Sequence, residues 1–240
     1  MERAQFNIAI VGNVKYPMDD IVQVTLQHTN FILQPEITGL AFECDGVICE
    51  DSLREQLIEK FDVNTPFLTT SEWQDIEHLD RFFIQLYTKN RFDVLANDLT
   101  SHRIITFHSK LKYLLMAYSP QGYQATGKMV ASISQHYDLR EFYEQYREKI
   151  LAILSQTPTR KLHVNAIQHI QGYFKHKATK DEKTRLGWLI NDYLLGYLSI
   201  NNPLSMILQL LTQYPDSYIS EQYYLSPYPE CRKVRALLQL

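Results

Sequence analysis

Asn165, His169, Gly172 and His176 follow one another at helical spacing inside the stretch Arg160–Lys177, so an amide, two imidazoles and a piece of bare backbone can share one stripe of a helix. Leu162, Ala166, Ile170, Tyr173 and Phe174 gather on the other side as the face to be buried. Groups that donate and accept, next to Lys161, Lys175 and Lys177, suit a ligand with polar edges and negative charge. His169 and His176 stand two turns apart, too far to chelate one metal ion without a third partner, and this helix offers no carboxylate beside them. The plain alternative is a solvated face, the default for a surface helix.

Fifteen of the 16 tyrosines fall after residue 81, several beside cations, as in Lys112-Tyr113, Gly172-Tyr-Phe-Lys175 and Tyr223-Tyr224. Rings interleaved with lysine and arginine fit an unstacked or single-stranded nucleic acid, where rings stack on bases and cations meet phosphates. The same rings also serve as packing residues. Three histidines, His108, His163 and His169, open an enzymatic alternative, because imidazole can act as acid and base near neutral pH. No carboxylate or nucleophile in this half of the chain is clearly paired with them, so no catalytic residue is assigned.

Other candidate chemistry is thinner. Phe42–Val47 resembles the first motif of haloacid-dehalogenase-type phosphatases, but Glu43 stands at the nucleophile position and no downstream lysine or acidic pair follows. Cys44 and Cys49 have four residues between them and no second Cys or His pair at zinc-site spacing, so neither a metal nor another cofactor is expected. Cys231 precedes Arg232, Lys233 and Arg235, cations able to lower a thiol pKa. An odd, sparse set of three cysteines reads as reduced thiols.

The net charge of −3 conceals a division. Residues 1–100 carry 7 Lys+Arg against 17 Asp+Glu, while residues 101–240 carry 17 against 10, a net of +7. A basic half suggests a polyanionic partner, or else the acidic half covers it. The apolar runs, Tyr113–Tyr118 among them, are far shorter than the roughly 20 residues a membrane span needs, and the N-terminal stretch lacks a signal-peptide core. A cytoplasmic protein without a membrane span is the expectation.

The elements that must position these residues are mostly helical. Phe6–Val11, Phe31–Leu33 and Leu40–Phe42 read as strands, with a helix from Pro17 to about Gln27. Ser52 with Glu55, Ser71 with Gln74, and Thr179 with Glu182 have capping-box spacing. Asp138 opens an amphipathic helix, and Asn202-Pro203 reads as an N-cap followed by proline at the first helical position. Helices over about 100–118, 123–135 and 160–177 complete about seven. The expectation is an α+β protein: a small α/β domain over 1–70 and a predominantly helical domain over 79–240, with the boundary in Asn64–Ser71.

The segment from Phe107 onward resembles the YbgA-like domain, a bacterial family of unknown function. The residues that carry the likeness are Phe107-His-Ser-Lys-Leu-Lys112, Ala117-Tyr-Ser-Pro120 with Tyr123 and Gly127, His163-Val-Asn165 continuing to His169-Ile-Gln-Gly-Tyr-Phe174, and Tyr218, Gln222, Tyr224-Leu225 and Pro227-Tyr-Pro229. Tyr118 stands where the family often has histidine. In many relatives this domain follows a TudS-like thiouracil desulfidase whose cysteines hold an iron–sulfur cluster. Gly12-Asn-Val-Lys-Tyr16 and Pro35-Glu-Ile-Thr-Gly-Leu40 resemble its segments, yet Gln34 replaces one cysteine, the other two are absent, and Glu36 alone of the expected catalytic set remains. Without thiolates no cluster can be held, and no desulfidase activity is expected.

What the resemblance implies is a role on tRNA, where fused enzymes of this kind remove sulfur from 4-thiouridine and the YbgA-like domain helps hold the RNA. The leading expectation is therefore a non-catalytic RNA-binding protein, with tRNA first. Lys110, Lys112, Arg160, Lys161, Lys175 and Lys177 would meet phosphates, and His108, His163, Asn165, His169 and Tyr173 would lie nearer a base or ribose. A protein-interaction module docking through the acidic half is the third reading.

Overall fold

The computed structural model describes residues 6–12, 14, 29–34, 44–61, 64–135 and 138–236. The chain divides into two compact units, Met1–Val94 with Pro227–Leu237, and Leu95–Ser226 with Leu238–Leu240. Ten helices and one four-stranded sheet lie among the described residues, the expected α+β arrangement with a helical C-terminal part. None of those helices is long and apolar enough to cross a membrane.

The first unit is built on strands β1 (Phe6–Val11), β2 (Thr29–Gln34), β3 (Gly46–Cys49) and β4 (Phe67–Thr69), all parallel, in the order β2-β1-β3-β4. β1 and β3 are almost wholly buried, which is why they read as continuous apolar runs. Gly12 ends β1 at φ +89°, a conformation that suits glycine. Beyond β3, Asp51 accepts from the Thr70 and Ser71 hydroxyls and from the Ser71 amide, and these bonds hold its carboxyl well below the usual carboxylate range.

Helix α1 (Arg54–Ile58) is short, and α2 (Ile76–Ala96) is the longest of the described helices. Phe82 of α2 comes so close to β3 that a Cβ on Gly46 would lie 3.0 Å from its ring. The division between units therefore falls inside α2, after Val94, where the sequence reading sets it at 64–71. The tail returns to α2. Asp80 accepts from Nε of buried Arg235 at 3.0 and 3.2 Å and from the Tyr228 hydroxyl, while Arg91 donates to the Pro227 carbonyl at 2.5 Å. Arg235 thus faces a carboxylate in the interior, and Cys231 is buried.

Several local expectations are corrected. Ser52 does not cap: a 3-10 turn begins at Asp51, with Glu50 at the N-cap position and no side-chain cap bond. Ser71 makes no cap bond either, because its hydroxyl is spent on Asp51. β3 and β4 escape periodicity by being four and three residues long. The expected helix to Gln27, the strand at Leu40–Phe42, and Glu36 and Glu43 lie outside the described residues.

The second unit contains α3 (Ser101–Tyr118), α4 (Pro120–Ala131), α5 (Leu139–Leu154), α6 (Arg160–Gln171), α7 (Lys180–Leu195), α8 (Asn201–Gln213) and the single turn α9 (Ser217–Ser220). α10 (Cys231–Ala236) belongs to the first unit. Side-chain caps set the starts: Thr100 for α3, Ser119 for α4 with proline at its head, Asp138 for α5, Thr159 for α6, and a complete Thr179–Glu182 box for α7. Asn202 is not an N-cap. α8 starts one residue earlier, and the Asn202 amide donates to the Ser199 carbonyl at 3.3 Å.

A candidate aromatic binding site on the helical unit

α3 is the scaffold of the site. Ile104, Phe107, Leu111, Leu114 and Leu115 bury it, and α4, α5 and α6 all pack against it. That placement carries His108 inside, 8% exposed. Its Nδ1 lies 3.0 Å from the hydroxyl of fully buried Tyr146, and burial alone pushes the imidazole down to about 4, so the ring is neutral at neutral pH. A neutral imidazole nitrogen is a better acceptor than a phenol oxygen, so Tyr146 donates to Nδ1 and Nε2 carries the hydrogen. Nε2 is buried and has no partner among the described residues.

Four tyrosines continue from His108 toward solvent. Tyr123 lies parallel to the imidazole, 10° between planes and 5.9 Å between centroids. The Tyr173 phenol acts on that of Tyr113 and raises its pKa, and Tyr173 stacks on Tyr218 at 6.1 Å. Burial and the neighbouring phenols push Tyr113, Tyr123 and Tyr218 up, so all three stay protonated as donors. The ammonium of Lys112 sits 5.1 Å from the Tyr113 ring centre and 6.0 Å from that of Tyr218. Tyr173, 37% exposed, opens the cluster to solvent.

Gln222 fastens the far side. Its Nε2 donates to the carbonyls of Ser109 and Tyr218 at 3.0 and 3.2 Å, and its Oε1, on a residue 1% exposed, has no partner among the described residues.

The remaining expected residues are dispersed. Nδ1 of His163 lies 3.0 Å from the Tyr224 hydroxyl, and the imidazole stacks on that ring with Tyr193 at its edge. Arg160 donates to the carbonyls of Tyr193 and Leu198 at 3.0 and 3.2 Å and lies over the Tyr193 ring, a cation placed on the C-terminal end of α7. Lys110 pairs with Glu221 at 3.0 Å and Lys177 with Asp216 at 3.4 Å. The side chains of Lys161, Asn165, His169 and Lys175 make no polar contact among the described residues. The expected stripe ends early, because α6 stops at Gln171 and Gly172–Phe174 form a 3-10 turn. That turn rotates successive side chains by about 120°, so Tyr173 leaves the buried face while Phe174, 1% exposed, stays on it. His176 lies beyond both.

Residues 112–229 match the family model described as a protein of unknown function (DUF1722). The uncharacterized protein YbgA of Escherichia coli (strain K12) is 32% identical over 137 residues, which cover 57% of this chain and 81% of that protein. The chain belongs to the YbgA-like family. No solved structure matches it. All four site tyrosines and Gln222 lie inside the YbgA-like match, and His108 lies four residues before it.

Within this YbgA-like unit the sequence reading finds His108, Lys112 and Tyr173 but misses the partners that make them a site. Tyr123, Gly127, Tyr218 and Gln222 are legible only as motif residues, because no periodicity shows which face α4 turns to α3, and the 218–222 turn is distant in sequence.

Proposed function

We propose that the helical unit is a non-catalytic RNA-binding module, with tRNA its first candidate ligand. The observation that carries this reading is the solvent-facing ring set of Tyr173 and Tyr218 with the Lys112 ammonium against Tyr113 and Tyr218. Rings that stack with a cation beside them suit an unstacked base and its phosphate. Lys161 and Lys175, uncommitted to other side chains, are the best-placed phosphate contacts, whereas Arg160, Lys110 and Lys177 already have partners. Charge supports the reading more modestly than the split at residue 100 suggests. The helical unit carries 14 Lys+Arg against 10 Asp+Glu, a net of +4, because the basic tail belongs to the first unit.

The first unit we read as a degenerate TudS-like domain. A parallel sheet whose order turns back between β1 and β3 is the doubly wound pattern that places a crevice at the strand ends, and Gly12 ends β1 there. The cysteines do not fit an iron–sulfur cluster. Cys44 and Cys49 are in the core with Ala9, Val47 and Leu57, burial pushes the Cys49 thiol up to about 11, and Cys231 is buried as well. The enzymatic reading through His108, His163 and His169 has less support, since each ring has different surroundings and His108 is neutral at neutral pH.

The test is binding of the full chain to total tRNA across a salt series. Lys161→Glu with Lys175→Glu should weaken binding and reduce the slope of log affinity against log salt by about 1 to 2. Undiminished affinity and slope in a folded double mutant would remove both lysines from the model.

A further inference from the structure

We infer that His108 reads one unstacked base of the bound RNA: its Nε2–H, buried in the free protein, donates to an acceptor on the base edge. This rests on the RNA-binding reading and names the part of the ligand that the site recognises.

Two observations converge on Nε2. The nitrogen is a buried donor without a partner among the described residues, on a side chain more than nine-tenths buried. Such groups are uncommon because an unpaired buried donor is costly, so its retention calls for a ligand that pairs it. Gly127 then faces it from inside α4. A Cβ at Gly127 would meet only Nε2, at 3.7 Å, so no neighbour forbids alanine there, and alanine is the better helix former. What alanine would do is lie over the donor.

Tyr123, one turn before Gly127, is the ring beside the imidazole face. Its ring lies parallel to the imidazole, and its hydroxyl has no hydrogen bond among the described residues, so stacking and packing alone hold it. The ring can turn aside at low cost and remain as a stacking face for the incoming base. Tyr146 holds the opposite edge of the imidazole, so the direction of the donor is set before ligand arrives. Tyr113, Tyr173 and Tyr218 line the approach.

The experiment compares full-length protein and Gly127→Ala on two probes, an octauridylate and an octamer of abasic phosphodiester, each across a salt series. Wild type should bind octauridylate more tightly. Gly127→Ala should lose about 3- to 10-fold on octauridylate, one neutral hydrogen bond's worth, with the abasic probe and the salt slope unchanged. As a second reading, the His108 Nε2–H nitrogen resonance should move on adding octauridylate and stay put with the abasic probe. Equal loss on both probes, or no loss and no movement while wild type binds, would overturn the base-reading role and leave RNA binding standing. Wild type that binds neither these probes nor tRNA would overturn the RNA-binding reading and this inference with it.

Discussion

Two buried polar clusters in this chain are built on different terms. At Asp80, each carboxylate oxygen has a partner, through Arg235 Nε and the Tyr228 hydroxyl, and the result ties the returning tail to α2. At His108 one nitrogen is satisfied by Tyr146, the other is left unspent, and the tyrosines beyond it open toward solvent. A closed network fixes a structure, whereas one left open at a single donor is a place for a ligand. The contrast identifies the site without reference to charge, and each term of it can be broken.

The largest effect belongs to the closed cluster. Asp80→Ala leaves the Arg235 guanidinium buried without its carboxylate, and removal of one member of a buried pair costs about 3–5 kcal/mol. Urea denaturation should show that loss, while RNA affinity of the remaining folded protein stays unchanged. A loss near zero would mean that the guanidinium finds water, and the cluster would no longer count as closed.

The next effect is one of pH. The folded His108 pKa is about 4 against about 6.5 for an unperturbed histidine, so the unfolded chain binds the proton first as pH falls. Stability from keeping this ring neutral is fully present above about pH 6.5 and is lost progressively down to about pH 4. Between pH 8 and pH 5 the contribution falls by about 2 kcal/mol. The urea midpoint of wild type should drop across that range by correspondingly more than that of His108→Phe. Parallel pH profiles for the two proteins would contradict the buried neutral imidazole.

Arg160 sharpens the comparison at a smaller scale. Its side chain is exposed but donates to two carbonyls at the end of α7, so Arg160→Ala should cost about 1 kcal/mol of stability. Lys161→Ala, one residue on, should cost nothing measurable in stability and should reduce the salt slope of RNA binding by about 1. If Arg160→Ala instead reduced the slope and spared stability, the two residues would have exchanged roles.

The sequence discloses helices better than it discloses the site. Asp138, Thr179 and Glu182 announce their helices because a cap is a local event, complete within four residues. Ser52 and Ser71 mislead for the same reason: the spacing is right, but Asp51 engages the Ser71 hydroxyl across 20 residues. Nothing in the row Asn165, His169, Gly172 reveals that α6 gives way to a 3-10 turn, and that turn carries Tyr173 out to meet Tyr218. The unspent nitrogen of His108 was least legible of all, since it depends on which ring edge Tyr146 holds and on a glycine 19 residues away.

That glycine gives the smallest and most pointed effect. Gly127→Ala removes an interior helix glycine at a position free of backbone strain and free of any neighbour closer than Nε2 at 3.7 Å. The substitution should raise stability by about 0.5–1 kcal/mol, read as an increase in the urea midpoint. A methyl that strengthens the helix while weakening octauridylate binding would separate the two quantities in opposite directions, which a purely structural glycine cannot do. If stability fell instead, the space above Nε2 would be filled in the folded protein, by water held between imidazole and backbone, and the donor would be neither unspent nor waiting.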